Sequence, residues 1–271
     1  MRLLKSLAIV ALLSVFSVLR GQPGETILDT VDFNDLSLIG TETLDTAIAS
    51  YIDSAQDKTK PDKDQMYDMI LAADNVLAHA SSSFEMYRYV YQFMISGFSA
   101  MGANMVVDYM VHLPYFEFVE ADDIQAEEMN ELAESYKRVR IGADMPEIQT
   151  QTLDGKEFNL SQVEAENVVL LFWSNTCPNC HEMIKQLAEL TAKRDDLVVV
   201  TVCVSKDLKS VRKYLKKSHL KGYHICDGVG WNSPVVDAYA VDMTPSLFLL
   251  KDKKIFAKPI DIEELVTILE R

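Results

Sequence analysis

The run NVVLLFW, residues 167–173, is followed after a gap of three residues by CPNC, residues 177–180. An almost continuous apolar run rich in β-branched residues predicts a strand that is buried on both faces of a sheet. Apolar side chains recur at helical spacing after the cysteine motif: Met183, Ile184, Leu187 and Leu190. The order of strand, cysteine motif and helix therefore places Cys177 at the N-terminus of a helix.

Strand and helix patterns alternate from Gly142 to the end of the chain. Two short extended runs flank the turn in TLDGKEFNL and indicate a β-hairpin. Strands are predicted in LVVVTVCV, YHIC, MTPSLFLL and KIFAK, and helices in DLKSVRKYLKKSHL, SPVVDAYAV and DIEELVTILER. The lysine-rich segment DLKSVRKYLKKSHL is expected to be an exposed helix. Such alternation indicates an α/β fold, with a central sheet that carries helices on both faces.

The preceding part of the chain, residues 22–141, contains several helical patterns and no catalytic constellation. In SSFEMYRYVYQFMISGF the apolar side chains fall on one helical face: Phe84, Tyr87, Tyr91, Met94, Ile95 and Phe98. We interpret these methionine and tyrosine stripes as core rather than as a ligand groove. The sequence thus predicts an all-α domain over residues 22–141 and an α/β domain over residues 142–271.

Charge is distributed unevenly between these two parts. The chain has a formal net charge of −15, and residues 22–143 hold 22 acidic and 7 basic side chains. The remainder of the chain after this segment is nearly balanced, and this contrast supports a division into two domains. So acidic a surface makes nucleic acid an unfavourable partner, because nucleic-acid binding requires neutralisation of phosphate charge.

The first 21 residues have the pattern of a signal peptide. Arg2 and Lys5 precede an uncharged apolar stretch, Leu7–Leu19, that is too short to span a bilayer. We expect cleavage near Gly21/Gln22 and a mature protein in the periplasm, where disulfides are tolerated. The alternative is an uncleaved N-terminal anchor that holds the protein on the membrane.

The CPNC motif has the arrangement of a redox centre. Unpaired backbone N–H groups and the helix dipole stabilise a thiolate at a helix N-terminus, which would make Cys177 a nucleophile. Cys180 lies one turn deeper, where it can close a disulfide with Cys177. Pro178 suits the first helical turn, because its missing N–H would have no partner there in any case.

Other interpretations of the cysteines are weaker. A zinc site needs a second ligand pair, but Cys203 and Cys226 stand alone, and His219 and His224 show no ligand spacing around them. We therefore expect no metal ion. A purely structural disulfide within CPNC would close too short a loop to stabilise much. For Cys203 and Cys226 a second disulfide is an alternative, but two buried free thiols are favoured.

Motif, order and spacing over residues 142–271 resemble the thioredoxin superfamily. The elements that carry this resemblance are VVLLFW, CPNC and TPSLFLL, and GADMPEIQTQTLDGKEFNLSQ is similar to the hairpin entry of its TlpA/ResA-like branch. The resemblance implies a thioredoxin-like fold with a central mixed sheet. The helical part, through MGANMVVDYMVHLPYF and RIGADMPEI, is similar to the N-terminal region of envelope thioredoxin-like proteins from Gram-negative bacteria.

The resemblance assigns roles to individual residues. Cys177 matches the attacking cysteine, Cys180 the resolving cysteine and Pro245 the family's cis proline, which holds the Thr244 backbone opposite Cys177. Five residues are expected to position the substrate: Trp173, Pro178, Asn179, Thr244 and Pro245.

The chain departs from the family where a proton acceptor is expected. Thioredoxin has a buried aspartate at the position of Leu171, and ResA-like proteins have a glutamate at the position of Met183. His181 and Glu182 are the nearest candidates for proton handling. The alternative, that both are solvated residues of the first helical turn, is favoured.

These observations predict an exported thiol–disulfide oxidoreductase that exchanges disulfides with protein substrates and needs no cofactor. Reduction or isomerisation is favoured over oxidation, because TlpA/ResA-like proteins mostly reduce. The expected partners are protein thiols and a membrane or periplasmic redox protein. The helical domain is expected to bind substrate or to form a homodimer.

The alternative function is a redox-inactive binding or scaffold module. A peroxiredoxin-like enzyme is not supported, since Ser174 and Leu170 replace that family's threonine and proline.

Overall fold

A computed structural model describes residues 26–113 and 119–270 of the chain. The predicted signal peptide, residues 1–21, lies outside the described residues, as does most of the predicted break LPYFEF. None of the helices in these two described ranges combines the length and the apolar character that a membrane span requires.

The N-terminal region is helical, as predicted. Two short 3₁₀ turns lead into five helices: α1 (Glu42–Ala55), α2 (Asp62–Ala80), α3 (Phe84–Ala100), α4 (Asn104–Met110) and α5 (Asp123–Arg138). Side chains at the helix starts satisfy backbone N–H groups that would otherwise have no partner. Thr41 and Ser83 cap α1 and α3 in this way, and Asp122 caps α5 through a capping box with Gln125.

The aromatic and methionine stripe of α3 forms the core of this region. All six of its predicted apolar positions are buried: Phe84, Tyr87, Tyr91, Met94, Ile95 and Phe98. The Tyr91 hydroxyl lies inside the core and donates a hydrogen bond of 3.0 Å to the carbonyl oxygen of Met110. This bond joins α3 to the end of α4 and satisfies a polar group that would be costly to bury alone. The interpretation of the stripe as core is confirmed.

The C-terminal region contains two sheets. A two-stranded hairpin pairs β1 (Gln149–Gln151) with β2 (Glu157–Asn159). The main sheet comprises β3 (Asn167–Trp173), β4 (Leu197–Cys203), β5 (Tyr223–Ile225), β6 (Ser246–Lys251) and β7 (Lys254–Ala257). Its strand order is β5-β4-β3-β6-β7. The β3, β4 and β5 strands are parallel, whereas β6 and β7 are antiparallel to their neighbours, so the sheet is mixed.

Helices cover both faces of the main sheet. They are α6 (Pro178–Thr191), α7 (Leu208–Ser218), α8 (Pro234–Ala238) and α9 (Ile262–Leu269). Every residue of β3 is buried, and successive side chains point to opposite faces. Val169, Leu171 and Trp173 pack on the face that α6, α7 and α9 cover. Val168, Leu170 and Phe172 pack on the other face, with α8 and the hairpin. The predicted α/β class with helices on both faces of a mixed sheet is confirmed.

One helix differs from its prediction. The lysine-rich α7 is not exposed all round, because Val211 and Leu215 are buried and Tyr214 packs against the same cluster. Its lysines occupy the opposite face. The apolar residues recur at helical spacing within a charged sequence, so the helix is amphipathic.

The helical region contacts the C-terminal region near β6 and β7. Tyr136 donates a hydrogen bond of 2.8 Å to the Asp242 carboxylate, and the Lys258 ammonium lies 3.2 Å from the Ser99 hydroxyl. Val139, at the end of α5, is fully buried within the C-terminal core. The boundary between residues 141 and 142 stays a prediction.

Candidate active site

Cys177 is the N-cap residue of α6. Its sulfur accepts a hydrogen bond of 3.2 Å from the backbone N–H of Cys180, and Pro178 occupies the first helical position. The side chain is half-buried, while Pro178 and Asn179 are exposed beside it. Cys177 is thus the cysteine of the motif that a protein substrate can reach, and a backbone donor is already directed at its sulfur.

Cys180 lies beneath the surface, with no exposed area. Burial raises the pKa of the Cys180 thiol to about 11, and the hydrogen bond with the Cys177 sulfur adds to this shift. The Ser174 backbone and the Thr244 side chain act in the opposite direction. Cys180 therefore keeps its proton at neutral pH, as a resolving cysteine does until the attacking sulfur has formed a mixed disulfide.

The segment Thr244–Pro245 lies opposite the motif, 67 residues further along the chain. The Thr244–Pro245 peptide bond is cis. The Cys177 thiol lies 3.6 Å from the carbonyl oxygen of Thr244, and both Thr244 and Pro245 are half-buried. Thr244 therefore faces Cys177 through its backbone carbonyl, and its side chain lowers the pKa of Cys180.

Trp173 ends β3 and is fully buried. Its ring packs against Tyr214 of α7, with ring centroids 5.4 Å apart. A side chain without exposed area does not touch a substrate, so any positioning role of Trp173 is indirect, through the packing beneath CPNC. That role stays a prediction, as do the roles of Pro178 and Asn179.

His181 and Glu182 differ in their surroundings. The His181 ring stacks on Tyr214 with centroids 4.2 Å apart, and its Nε2 lies 3.0 Å from the Asn175 carbonyl oxygen. Glu182 is exposed and forms a 3.7 Å ion pair with Lys185. Within residues 26–113 and 119–270, neither side chain forms a hydrogen bond with a cysteine thiol. His181 is thus held in one orientation, whereas Glu182 lies in solvent.

The two positions that carry acids in related families are apolar and buried. Leu171 is fully buried, and Met183 is 7% exposed. Both belong to the cluster that also contains Cys180. The residues around Cys180 therefore provide apolar surface at the two positions where the resemblance would place a carboxylate.

Tyr214 and Asn175 complete the site, and neither was singled out from the sequence. The Tyr214 hydroxyl donates a 3.2 Å hydrogen bond to the His181 carbonyl, so Tyr214 contacts both Trp173 and the first turn of α6. The amide of Asn175 donates to the Ser210 hydroxyl at 3.2 Å. The apolar face of α7 was the available signal for Tyr214. No pattern marked Asn175.

Alkylation of the reduced protein should separate the two cysteines of the motif. We expect iodoacetamide to label Cys177 first, and labelling of Cys180 to rise about tenfold per pH unit up to a pH of about 11, because only the thiolate reacts. Thr244→Val removes a hydroxyl that lowers this pKa and should move the Cys180 profile to higher pH, while Thr244→Ser should not. Mass spectrometry measures both sites. Equal rates for both thiols would contradict the assigned roles.

Comparison with known proteins agrees with this geometry. Residues 140–259 match the Redoxin family. The chain is 26% identical over 127 residues to the thiol-disulfide oxidoreductase ResA of a Bacillus cereus strain, and the match covers 46% of this chain and 72% of the relative. It is 25% identical over 138 residues to ResA of Geobacillus thermodenitrificans, covering 49% of this chain and 78% of that protein.

A solved structure resembles nearly the whole chain. A thioredoxin-like protein from Bacteroides caccae superimposes with a TM-score of 0.56 at 17% identity, and the match covers 90% of both chains. This likeness shows the fold, and the thioredoxin-like fold predicted from the sequence is confirmed. Taken with the Redoxin match over residues 140–259 and the similarity to ResA, this fold supports a TlpA/ResA-like thiol–disulfide oxidoreductase of the thioredoxin superfamily.

Proposed function

We propose that the protein reduces or isomerises disulfides of exported proteins through Cys177 and Cys180. One observation carries the proposal: the half-exposed Cys177 sulfur receives the Cys180 backbone N–H at 3.2 Å and faces the Thr244 carbonyl at 3.6 Å. A nucleophilic sulfur therefore lies beside a main-chain acceptor to which an extended substrate segment can bind.

The exchange takes two steps. The Cys177 thiolate attacks a substrate disulfide, forms a mixed disulfide and releases one substrate sulfur as a thiolate. Cys180 then loses its proton and attacks the Cys177 sulfur, which releases the second substrate thiolate and leaves a Cys177–Cys180 disulfide. The substrate gains two electrons and the enzyme loses two. A redox partner of the membrane or the periplasm returns them.

The surroundings of Cys180 disfavour the second step, because in that step Cys180 must lose its proton. The pKa of Cys180 is raised by burial, and apolar Leu171 and Met183 occupy the positions of the family's acids. The Thr244 side chain acts in the other direction, since it favours the Cys180 thiolate. We infer that Thr244 assists deprotonation of Cys180, and that a mixed disulfide persists long enough to permit isomerisation.

Reduction of insulin by dithiothreitol tests the activity. We expect the wild-type protein to accelerate precipitation of the insulin B chain, because that reaction requires turnover of both exchange steps. The reduction potential of the Cys177/Cys180 pair, measured against glutathione, tests the direction. A potential as oxidising as that of DsbA, about −120 mV, would contradict the reductase proposal. A protein that forms the disulfide but never turns over would instead be a scaffold module.

Export is a proposal supported by the N-terminal sequence alone. We expect expression in a Gram-negative host to yield periplasmic protein that begins near Gln22, because Arg2, Lys5 and the apolar stretch have the order of a signal peptide. Intact-mass measurement of the periplasmic fraction checks this. Full-length protein in the membrane fraction would show that the segment is an uncleaved anchor.

A further inference from the structure

Two more cysteines lie behind the active-site pair. Cys203 is the last residue of β4 and pairs in register with Trp173, the last residue of β3. Cys226 follows the last residue of β5, and the residues before the two cysteines, Val202 and Ile225, pair in parallel register. Cys203 and Cys226 therefore lie side by side on neighbouring strands.

This placement suits a disulfide. Neighbouring strands are about 4.8 Å apart, and a disulfide needs Cα atoms about 4.4–6.8 Å apart. Cys203 and Cys226 belong to the same apolar cluster, so both side chains point to the α6 side of the sheet. Both are free thiols in this structure and both are buried, 3% and 8% exposed.

The two thiols already interact. The neighbouring Cys226 side chain raises the pKa of Cys203, and burial raises it further. Cys203 in turn lowers the pKa of Cys226 to about 7. In the structure the Cys226 thiol donates a hydrogen bond of 3.4 Å to the Ser205 carbonyl oxygen, and loss of this proton near neutral pH would let Cys226 accept the Cys203 proton. Joining the two thiols in a disulfide still requires an oxidising disulfide, which one of them attacks to form a mixed disulfide.

The second pair is coupled to the first. Cys177, Cys180, Cys203 and Cys226 all lie in or against one cluster, around the fully buried Trp173. Negative charge on Cys180 contributes to the raised pKa of Cys203, after the larger effects of Cys226 and of burial. All four cysteines therefore lie on the α6 side of the sheet, with Cys177 half-buried and the other three buried.

We propose that Cys203 and Cys226 are a second redox pair that exchanges its thiols with the Cys177–Cys180 disulfide, so that one chain holds two two-electron couples. The proposal rests on the proposed exchange at Cys177, which supplies the oxidising disulfide. It differs from a structural role, because a structural pair would stay in one oxidation state throughout the cycle.

The exchange balances without a further reactant. Cys203 attacks the Cys180 sulfur of the Cys177–Cys180 disulfide, passes its proton to the Cys226 thiolate and releases Cys177 as a thiolate. Cys226 then attacks the Cys203 sulfur of the Cys180–Cys203 intermediate and passes the proton to the departing Cys180. The first pair gains two electrons and the second loses two.

Redox titration of the full-length protein tests the proposal. The protein is equilibrated in glutathione buffers of graded potential, quenched with acid and alkylated, and its disulfides are mapped by mass spectrometry. We expect Cys177–Cys180 and Cys203–Cys226 disulfides in the oxidised protein, and four thiols after reduction. If only Cys177–Cys180 forms, the second pair is structural and this inference is overturned, while the proposed function stands. If neither forms, both are overturned.

A trapping experiment tests the path between the pairs. Cys177→Ser/Cys226→Ser retains Cys180 and Cys203 and should form a Cys180–Cys203 disulfide when a diazene dicarboxamide oxidant is added. The matched control, Cys177→Ser/Cys203→Ser, retains Cys180 and Cys226 and should stay reduced. Circular dichroism checks that both variants fold. If they do not fold, the redox titration of the wild-type protein tests whether Cys203 and Cys226 form a second redox pair. Equal cross-linking of the two variants, or cross-linking of neither, would overturn the path.

Discussion

Replacement of Cys177 by serine is expected to reduce turnover in the insulin assay to the uncatalysed rate. A serine hydroxyl does not form a disulfide, so neither the mixed disulfide nor the Cys177–Cys180 bond can form. The substitution changes one atom of a half-buried side chain, and the fold should survive. Far-UV circular dichroism of the variant should match that of the wild type.

Cys180→Ser is the matched variant, because it removes the resolving thiol and leaves the attacking one. We expect it to accumulate a mixed disulfide between Cys177 and the substrate, visible as a band on non-reducing gels that disappears with dithiothreitol. Cys177→Ser should show no such band. Accumulation of the band with Cys177→Ser in place of Cys180→Ser would reverse the two roles.

Trp173→Ala should cause a large loss of stability. The side chain is fully buried between β3, α6 and α7, and its removal leaves a cavity that rigid strands cannot close. Truncation of a buried aromatic side chain costs about 3–5 kcal/mol of unfolding free energy. Urea denaturation of the reduced protein, followed by far-UV circular dichroism, measures the loss.

Trp231→Ala provides the control, since Trp231 is the second of the two tryptophans and is 50% exposed. It should lose much less stability, because half of the indole already contacts water and little cavity forms. Similar losses for the two variants would show that Trp173 does not support the core beneath CPNC.

The local elements of the C-terminal region were predictable because their signals are strong. The run NVVLLFW forms β3, the residues after Cys177 form α6, and the hairpin forms around its Gly155 turn. Each of these patterns depends only on neighbouring residues, on hydrophobic periodicity and on turn chemistry. The helical region was predictable for the same reason, since its apolar side chains recur at helical spacing over long stretches.

The contacts between distant segments were not predictable in this way. Tyr214 stacks on His181 across 33 residues, and this contact depends on how α7 packs on α6. The adjacency of Cys203 and Cys226 depends on the register of β4 and β5, which their spacing in the sequence does not express. The family resemblance marked Thr244 for its backbone, but the effect of its side chain on the pKa of Cys180 depends on the folded loop.

The contact between Tyr136 and Asp242 limits which chimeras of this protein can be designed. Asp242 lies two residues before Thr244, and Lys258, whose pKa burial lowers to about 8, reaches Ser99 nearby. A chimera that receives its helical region from a relative would leave Asp242 and Lys258 facing unmatched side chains, next to the loop that contacts both active-site cysteines. Grafts should therefore transfer Ser99 and Tyr136 together with the C-terminal half.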